Sequence, residues 1–272
     1  MSSNSRPTLG VVAISKNEEV DMPYFLDHLI TWVNEIVIVD DCSEDKTQEI
    51  VQSYSSKVKL IEQRLNFDNG GFAAQRNRGI EEAESDWLLH MDIDERVPFN
   101  LASEMLKKIQ HSEFNAYRYR RLNFFLHRPM KGGGWQDWNR PQLARQGHHF
   151  FENSVHENCI IKGGEIVIGQ LHQKMWHLND SSYLERMEKS YTYCQDVANK
   201  IHSEGKKIYP YHFIFMPLKE FLLKFIYKKG FKDGVLGLIW ALHTSSAIFK
   251  AYSLVWDKQN RIARPELKHP FL

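Results

Sequence analysis

Three carboxylates fall within four positions in HMDIDERV, where Asp92, Asp94 and Glu95 close the apolar run that begins at Trp87. Along an extended chain alternate side chains share a face, so Asp92 and Asp94 reach toward one cation. Oxygen ligands with no cysteine or paired histidine nearby favour Mg²⁺ or Mn²⁺ over zinc. An isolated D-x-D is more often a solvated strand end, but this one has company. In VDDCSEDKT, Asp40 and Asp41 end a second apolar run. Either carboxylate can accept a hydrogen bond from a uracil ring N–H or a ribose hydroxyl, while Asp45 suits the start of the next helix. GGFAAQRNRG, from Gly70 to Gly79, sets two glycines ahead of a helix carrying Arg76, Asn77 and Arg78. A helix start beside a guanidinium suits a phosphate.

These residues need a scaffold that brings them to one edge, and the flanking pattern supplies it. LGVVAIS from Leu9, EIVIVDD from Glu35, VKLIEQ from Val58 and WLLHMDID from Trp87 read as strands. Between them, apolar residues recur three or four apart, as in Leu26, Leu29, Ile30 and Val33, which is helical spacing. Alternating strands and helices make βαβ units and hence a mostly parallel sheet covered on both faces. Ligands of such sheets gather beyond the carboxyl ends of the strands, where the polar clusters at 15–18, 40–45 and 92–95 all lie. Further helices are expected from Asn100 as N-cap, over Ser181–His202, and from Pro217 onward, with AYRYRRLNFF as a strand and KGGGW as a loop.

A chain of 272 residues fits one large α/β domain with an appendage. The division expected is a catalytic domain over 1–200 and a basic, amphipathic helical extension over 201–272. That extension carries 12 Lys and Arg against 5 Asp and Glu, a net of +7, whereas residues 1–200 carry 23 against 29. The net charge of the whole, +1, gives no basis for nucleic-acid binding. Three scattered cysteines argue against a disulfide framework, and no apolar run follows a basic start at the N-terminus. A cytoplasmic setting is the expectation.

The series SKNEE, VDDCSED, GGFAAQRNRG, MDIDERV and VHENC resembles, in order and spacing, the family 2 glycosyltransferases of the GT-A fold. Within that family it is most similar to the lipopolysaccharide core β-1,4-glucosyltransferases that add glucose to inner-core heptose. The likeness covers residues 9–160 and continues weakly at GFKDGVLGL near Gly230. It implies donor contacts from Asn17 and Glu18, nucleoside binding by Asp40 or Asp41, help from Arg76, and a metal motif of Asp92 and Asp94 with Asp94 as direct ligand. Gln75 departs from it, standing where many members have Ala before the Arg. The implied activity is inverting, metal-dependent transfer of a hexose, glucose from UDP-glucose, to a lipid-linked saccharide. Inversion by in-line displacement needs a carboxylate base across the anomeric carbon from the diphosphate. Glu157 in VHENC is the first choice and Asp137 the second. Many GT-A enzymes bring a late histidine to the metal, and His177 in MWHLND is the candidate.

Seven lysines among phenylalanines between Lys206 and Lys232, with Leu218, Phe221, Leu222, Phe225 and Ile226 on one helical face, fit peripheral contact with the inner face of a bacterial inner membrane. They equally fit helices packed on the catalytic domain. Two other classes compete with the transferase. A sugar nucleotidyltransferase would carry a glycine-rich, basic loop where this chain has acidic SKNEE. A non-catalytic sugar- or lipid-binding module would have no reason to keep clustered carboxylates, which repel one another without a metal.

Overall fold

The computed structural model describes residues 6–180 and 182–261. Two compact units emerge, one made of the chain up to Leu122 with Asp137–Leu178, the other of Asn123–Gln136 with the chain from Asn179 onward.

The first unit opens with β1 (Leu9–Ser15), α1 (Met22–Leu29), β2 (Glu35–Asp40), α2 (Thr47–Ser53), β3 (Val58–Glu62), α3 (Gly71–Glu82), β4 (Trp87–Met91), the short β5 (Glu95–Arg96) and α4 (Phe99–Gln110). It continues through the first part of β6 (Ala116–Phe125); β7 (Arg128–Pro129) belongs to the second unit. After Asp137 follow β8 (Asn139–Arg145), β9 (His149–Glu152), β10 (Asn158–Ile161) and β11 (Ile168–His177). The sheet runs β3-β2-β1-β4-β8-β6-β11-β5. Its first four strands are parallel, as the βαβ alternation requires. β8 then joins β4 and β6 antiparallel, and β11 joins β5 the same way, so the sheet as a whole is mixed.

The parallel strands are near-continuous apolar runs because both faces are covered. Val11 and Ala13 of β1 pack toward α1 and α4, against Phe25, Leu26, Met105 and their neighbours. Val12 turns the other way, with Val37, Val39 and Ala73, Ile80 of α3. Each large apolar side chain removed from water here contributes roughly 1.5–3 kcal/mol. Gly79 lets α3 settle on β1, since a Cβ at that position would stand 2.4 Å from Val12 Cγ1. The α4 helix begins one residue after Pro98, so Asn100 lies inside it rather than capping it. A proline with fixed φ at the boundary takes over that role.

The second unit gathers α5 (Tyr183–Ser203), α6 (His212–Leu222) and α7 (Val235–Asn260). Ala198 and Ile201 of α5 share a core with Ala251, Tyr252 and Val255 of α7. That packing draws α5 into the helical unit, which therefore starts at Asn179 rather than at residue 201. Within the same unit Asp233 accepts N–H groups from Lys131 and Gly132, both at 2.7 Å, and so anchors the glycine loop. Ser181 and residues 262–272 of the expected extension lie outside the described residues. Among the described residues no helix is long and apolar enough to cross a membrane. The three cysteines are free thiols.

Behind the end of β4, His90 and His149 meet at 2.7 Å between their Nε2 atoms, both nearly fully buried. One imidazole donates to the other, so the accepting ring is neutral. Burial, more than any neighbour, lowers His149 to about 4 and holds His90 well below the ordinary range. A depressed imidazole gives its full stability above the unfolded pKa near 6.5 and loses it as pH falls toward the folded value. We expect the unfolding free energy to drop by about 2 kcal/mol from His149 alone between pH 7.5 and pH 5. Urea titrations at both values measure it, and equal midpoints would contradict a neutral buried pair.

Candidate active site

At the carboxyl end of β4 the chain does not stay extended. Glu95 N–H donates to Asp92 O at 3.0 Å, closing a turn over 92–95. Ile93 is buried at the middle of that turn, which leaves Asp92 and Asp94 on the open side. The two acids do share a side, by a turn rather than by strand alternation. The β11–β5 pairing then sets His177 opposite Glu95. His177 Nε2 comes to 3.2 Å from Asp94 Oδ2. Asp92, Asp94 and His177 each present one ligand atom, all within 4.8 Å of one another.

Asp92 itself is held from two directions. Arg76 Nη2 donates to Oδ1 and Arg121 Nη2 to Oδ2, both at 2.6 Å. Burial alone would raise its pKa, but the two guanidinium groups outweigh it and keep Asp92 well below the usual carboxylate range. Glu95 goes the other way: fully buried, it is pushed up by desolvation and by Asp92, against the pull of Arg121. Arg121 Nε reaches Glu95 Oε1 at 2.6 Å, and its guanidinium lies 4.1 Å above the Trp138 ring. Arg121 was not among the residues singled out from the sequence. The available signal was its register, since Tyr117, Tyr119 and Arg121 share the inward face of β6 and Tyr119 is fully buried.

Arg76 also ties in the candidate base. Its Nε donates to Glu157 Oε1 at 2.9 Å. The loop bearing Glu157 is fixed by α3, where Asn77 exchanges hydrogen bonds with the Phe151 backbone and Phe72 N–H donates to Ser154 O. Gly71, at φ +55, permits this approach, because a Cβ there would stand 2.3 Å from Ser154 O. The same contacts use up the first amides of α3, since Gly71 N–H donates to Asn66 O. The phosphate cradle expected at this helix start is thus occupied by main-chain carbonyls, and Arg76 is a buried brace. Its Nη1 is buried without a hydrogen-bond partner among the described residues. Asp137 is exposed, whereas Glu157 is partly buried against Arg76.

Beyond β1 and β2 a cavity of about 190 Å³ is lined by Lys16, Glu18, Asp41, Phe72 and Gln75. Asp41 and not Asp40 faces it. Asp40 is fully buried, and its carboxylate already accepts from Ser15 Oγ, Ser43 N–H and Oγ, and Gln48 Nε2. Asn17 is exposed at φ +54, and its side chain accepts from Glu44 N–H, which makes it a clamp on the 41–45 loop. Gln75 donates to Gln63 O and forms part of the cavity wall. Asp45 accepts from Thr47 N–H at 2.9 Å and so holds the start of α2.

A parallel sheet with carboxylates, a histidine and a cavity at its carboxyl edge is the framework on which the likenesses to known proteins fall. The chain belongs to glycosyl transferase family 2, whose model matches residues 10–160. It is 38% identical over 63 residues to the poly(ribitol-phosphate) beta-N-acetylglucosaminyltransferase TarS of Staphylococcus aureus, a match covering 23% of this chain and 11% of TarS. It is 26% identical over 259 residues to the lipopolysaccharide core biosynthesis glycosyltransferase LpsC of Rhizobium meliloti, covering 90% of this chain and 93% of LpsC. Among solved structures, residues 1–349 of S. aureus TarS in complex with UDP-GlcNAc align at a TM-score of 0.47 with 17% identity, over 93% of this chain and 91% of that one.

Removing Arg121 would leave Asp92 short of a partner and Glu95 without its guanidinium. Breaking a buried ion pair from one side costs roughly 3–5 kcal/mol. We expect Arg121→Met to lower the unfolding free energy by about that much in urea, and a loss below about 1 kcal/mol would show that this network is not a structural brace.

Proposed function

We propose that the chain is an inverting, metal-dependent hexosyltransferase that moves glucose from UDP-glucose to a bacterial glycolipid such as the lipopolysaccharide inner core. One observation carries the reading: three metal-ligating side chains converge at a strand end while the same arginine that holds one of them, Arg76, holds the carboxylate Glu157. Kinship with LpsC along nearly its whole length supports the choice of acceptor.

The donor's uracil and ribose enter the cavity beside Asp41 and Glu18, with Asn17 keeping the wall in shape. Asp94 and His177 would hold Mg²⁺ or Mn²⁺, with Asp92 at its edge because both Asp92 oxygens already serve arginines. The ion would neutralise charge on the departing diphosphate. Glu157 takes the proton of the acceptor hydroxyl as that oxygen bonds to the anomeric carbon. The bond from that carbon to the UDP oxygen breaks on the opposite face, and its electron pair leaves with UDP. Arg76 keeps Glu157 in place through the 2.9 Å contact from its Nε. Asp137 is the second candidate for the base.

The second unit fits a membrane surface. Ile214, Leu218, Leu222 and Ile226 are exposed at four-residue spacing, and Lys228, Lys229 and Lys232 follow directly. Lysines near an anionic surface contribute about 1 kcal/mol each, screened by salt, while the apolar row resists salt. We expect sedimentation with phosphatidylglycerol vesicles that weakens when the three lysines become Gln. Equal, negligible sedimentation with anionic and neutral vesicles would contradict membrane contact.

For the chemistry, chelator should abolish UDP release and Mn²⁺ or Mg²⁺ should restore it, with Asp94→Ala inactive but folded. Glu157→Gln should keep donor affinity while turnover falls about 10²-fold or more. Full turnover in excess chelator contradicts the metal. The same loss in Asp137→Asn, with Glu157→Gln active, would move the base to Asp137.

A further inference from the structure

In the second unit α5, α6 with the turn that follows it, and α7 enclose a cavity of about 260 Å³. Its wall presents Arg186, Lys189 and Lys224 with Glu220 and the rings of Tyr193 and Trp240; Arg186 is already paired with Asp180, and Lys189 with Glu185 at 2.6 Å and Asp180 at 3.5 Å. Lys224, which the sequence assigns to the outer basic face, is three-quarters buried here. Its Nζ stands 3.7 Å from Glu220 Oε1, beyond hydrogen-bond distance, so the nearest carboxylate leaves its donors unspent.

The wall is rigid. Arg186 Nε donates at 2.7 Å to Asp180 Oδ2, on a carboxylate with no exposure, and its guanidinium lies 5.8 and 5.7 Å from the Trp135 and Trp240 ring centres. Trp240 is fixed in turn by Nε1–H donation to Gly133 O and by Trp135 at 4.5 Å between ring centres. Rings and cations held this firmly before any ligand arrives lower the ordering cost of binding.

The chemistry of the lining narrows the occupant. A bare anion would gain nothing from the face of Trp240, and an acyl chain would gain nothing from Lys224. The volume lies below the roughly 300–1,000 Å³ of pockets for drug-sized ligands, which suits a single ring. A pyranose offers an apolar C–H face to an aromatic ring and hydroxyls to Glu220, Ser190 and Tyr193. An acidic group on it would meet Lys224, whose ammonium stands 3.7 Å from Glu220. We propose that this cavity recognises one acidic sugar, a pyranose bearing a carboxylate or a phosphate, and that the glycolipid acceptor supplies it. The identity of the supplier rests on the transferase reading above, whereas the binding itself does not.

Calorimetric titration of the full chain with glucose 6-phosphate, glucuronate, glucose and inorganic phosphate tests this, with UDP titrated in parallel. Both acidic sugars should bind at least about tenfold more tightly than glucose or phosphate. Lys224→Gln, which removes one charge-assisted contact, should weaken them about tenfold. Thr244→Leu, which fills the cavity without changing its charge, should abolish their binding, and UDP affinity should stay the same in both variants. Acidic sugars no tighter than glucose, phosphate binding as tight as that of the sugars and indifferent to Thr244→Leu, or competition between the sugars and UDP would each overturn the site. A protein that binds acidic sugars this way but neither binds UDP nor transfers hexose would overturn the transferase reading and leave the cavity's ligand standing.

Discussion

Asp92 is a half-buried carboxylate whose two oxygens are each claimed by a different, more deeply buried arginine, and much of the first unit is arranged around that fact. Arg76 comes from α3 and Arg121 from β6, and both reach Asp92 just after the end of β4. Each arginine carries a second carboxylate with it, Glu157 for Arg76 and Glu95 for Arg121. A buried ion on its own would cost several kcal/mol, so the four partners fold together or leave charges stranded. The network thereby sets the positions of a loop, a turn and two strands at once.

The same network decides which groups remain for chemistry. Asp92 is committed to guanidinium groups, and Asp94 and His177 stand beside it with their ligand atoms 3.2 Å apart. Their meeting depends on the β5–β11 pairing, which reaches from the turn after β4 to a strand some eighty residues later. Glu157 is fixed by α3 through Asn77 and Arg76, so GGFAAQRNRG acts as a holder of the opposite wall. Glycine serves there for closeness to the 154 loop, a use unlike the anion cradle its spacing suggests.

Much of this was legible in the sequence. The first four strands and their parallel pairing follow from apolar runs separated by helical spacing, and the acidic clusters fall at their carboxyl ends because a parallel sheet puts them there. His177 was reachable only through family likeness, since no local pattern marks a histidine that pairs across eighty residues. Arg121 was hidden for a related reason. In AYRYRRLNFF three arginines look alike, and only the inward register beside Tyr119 separates the one that is buried. Asp40 and Asp41 were indistinguishable by type, and the serines and glutamine that fill the hydrogen-bonding capacity of Asp40 come from three separate places. A basic, amphipathic extension was expected from residue 201, and the compact unit that holds α6 and α7 also takes in α5 and Asn123–Gln136, because the contact between α5 and α7 spans some fifty residues of chain.

In the transferase proposed above, Asp94 and His177 would hold a divalent ion at the end of β4 while two arginines hold Asp92 aside. Pulsed electron paramagnetic resonance of Mn²⁺ added to the protein with UDP tests it without reference to turnover. Coupling to one imidazole nitrogen is expected in the unaltered chain, with loss of that coupling in His177→Ala and much weaker Mn²⁺ binding in Asp94→Ala. An unchanged nitrogen coupling in His177→Ala, or Mn²⁺ bound as tightly by Asp94→Ala, would contradict it.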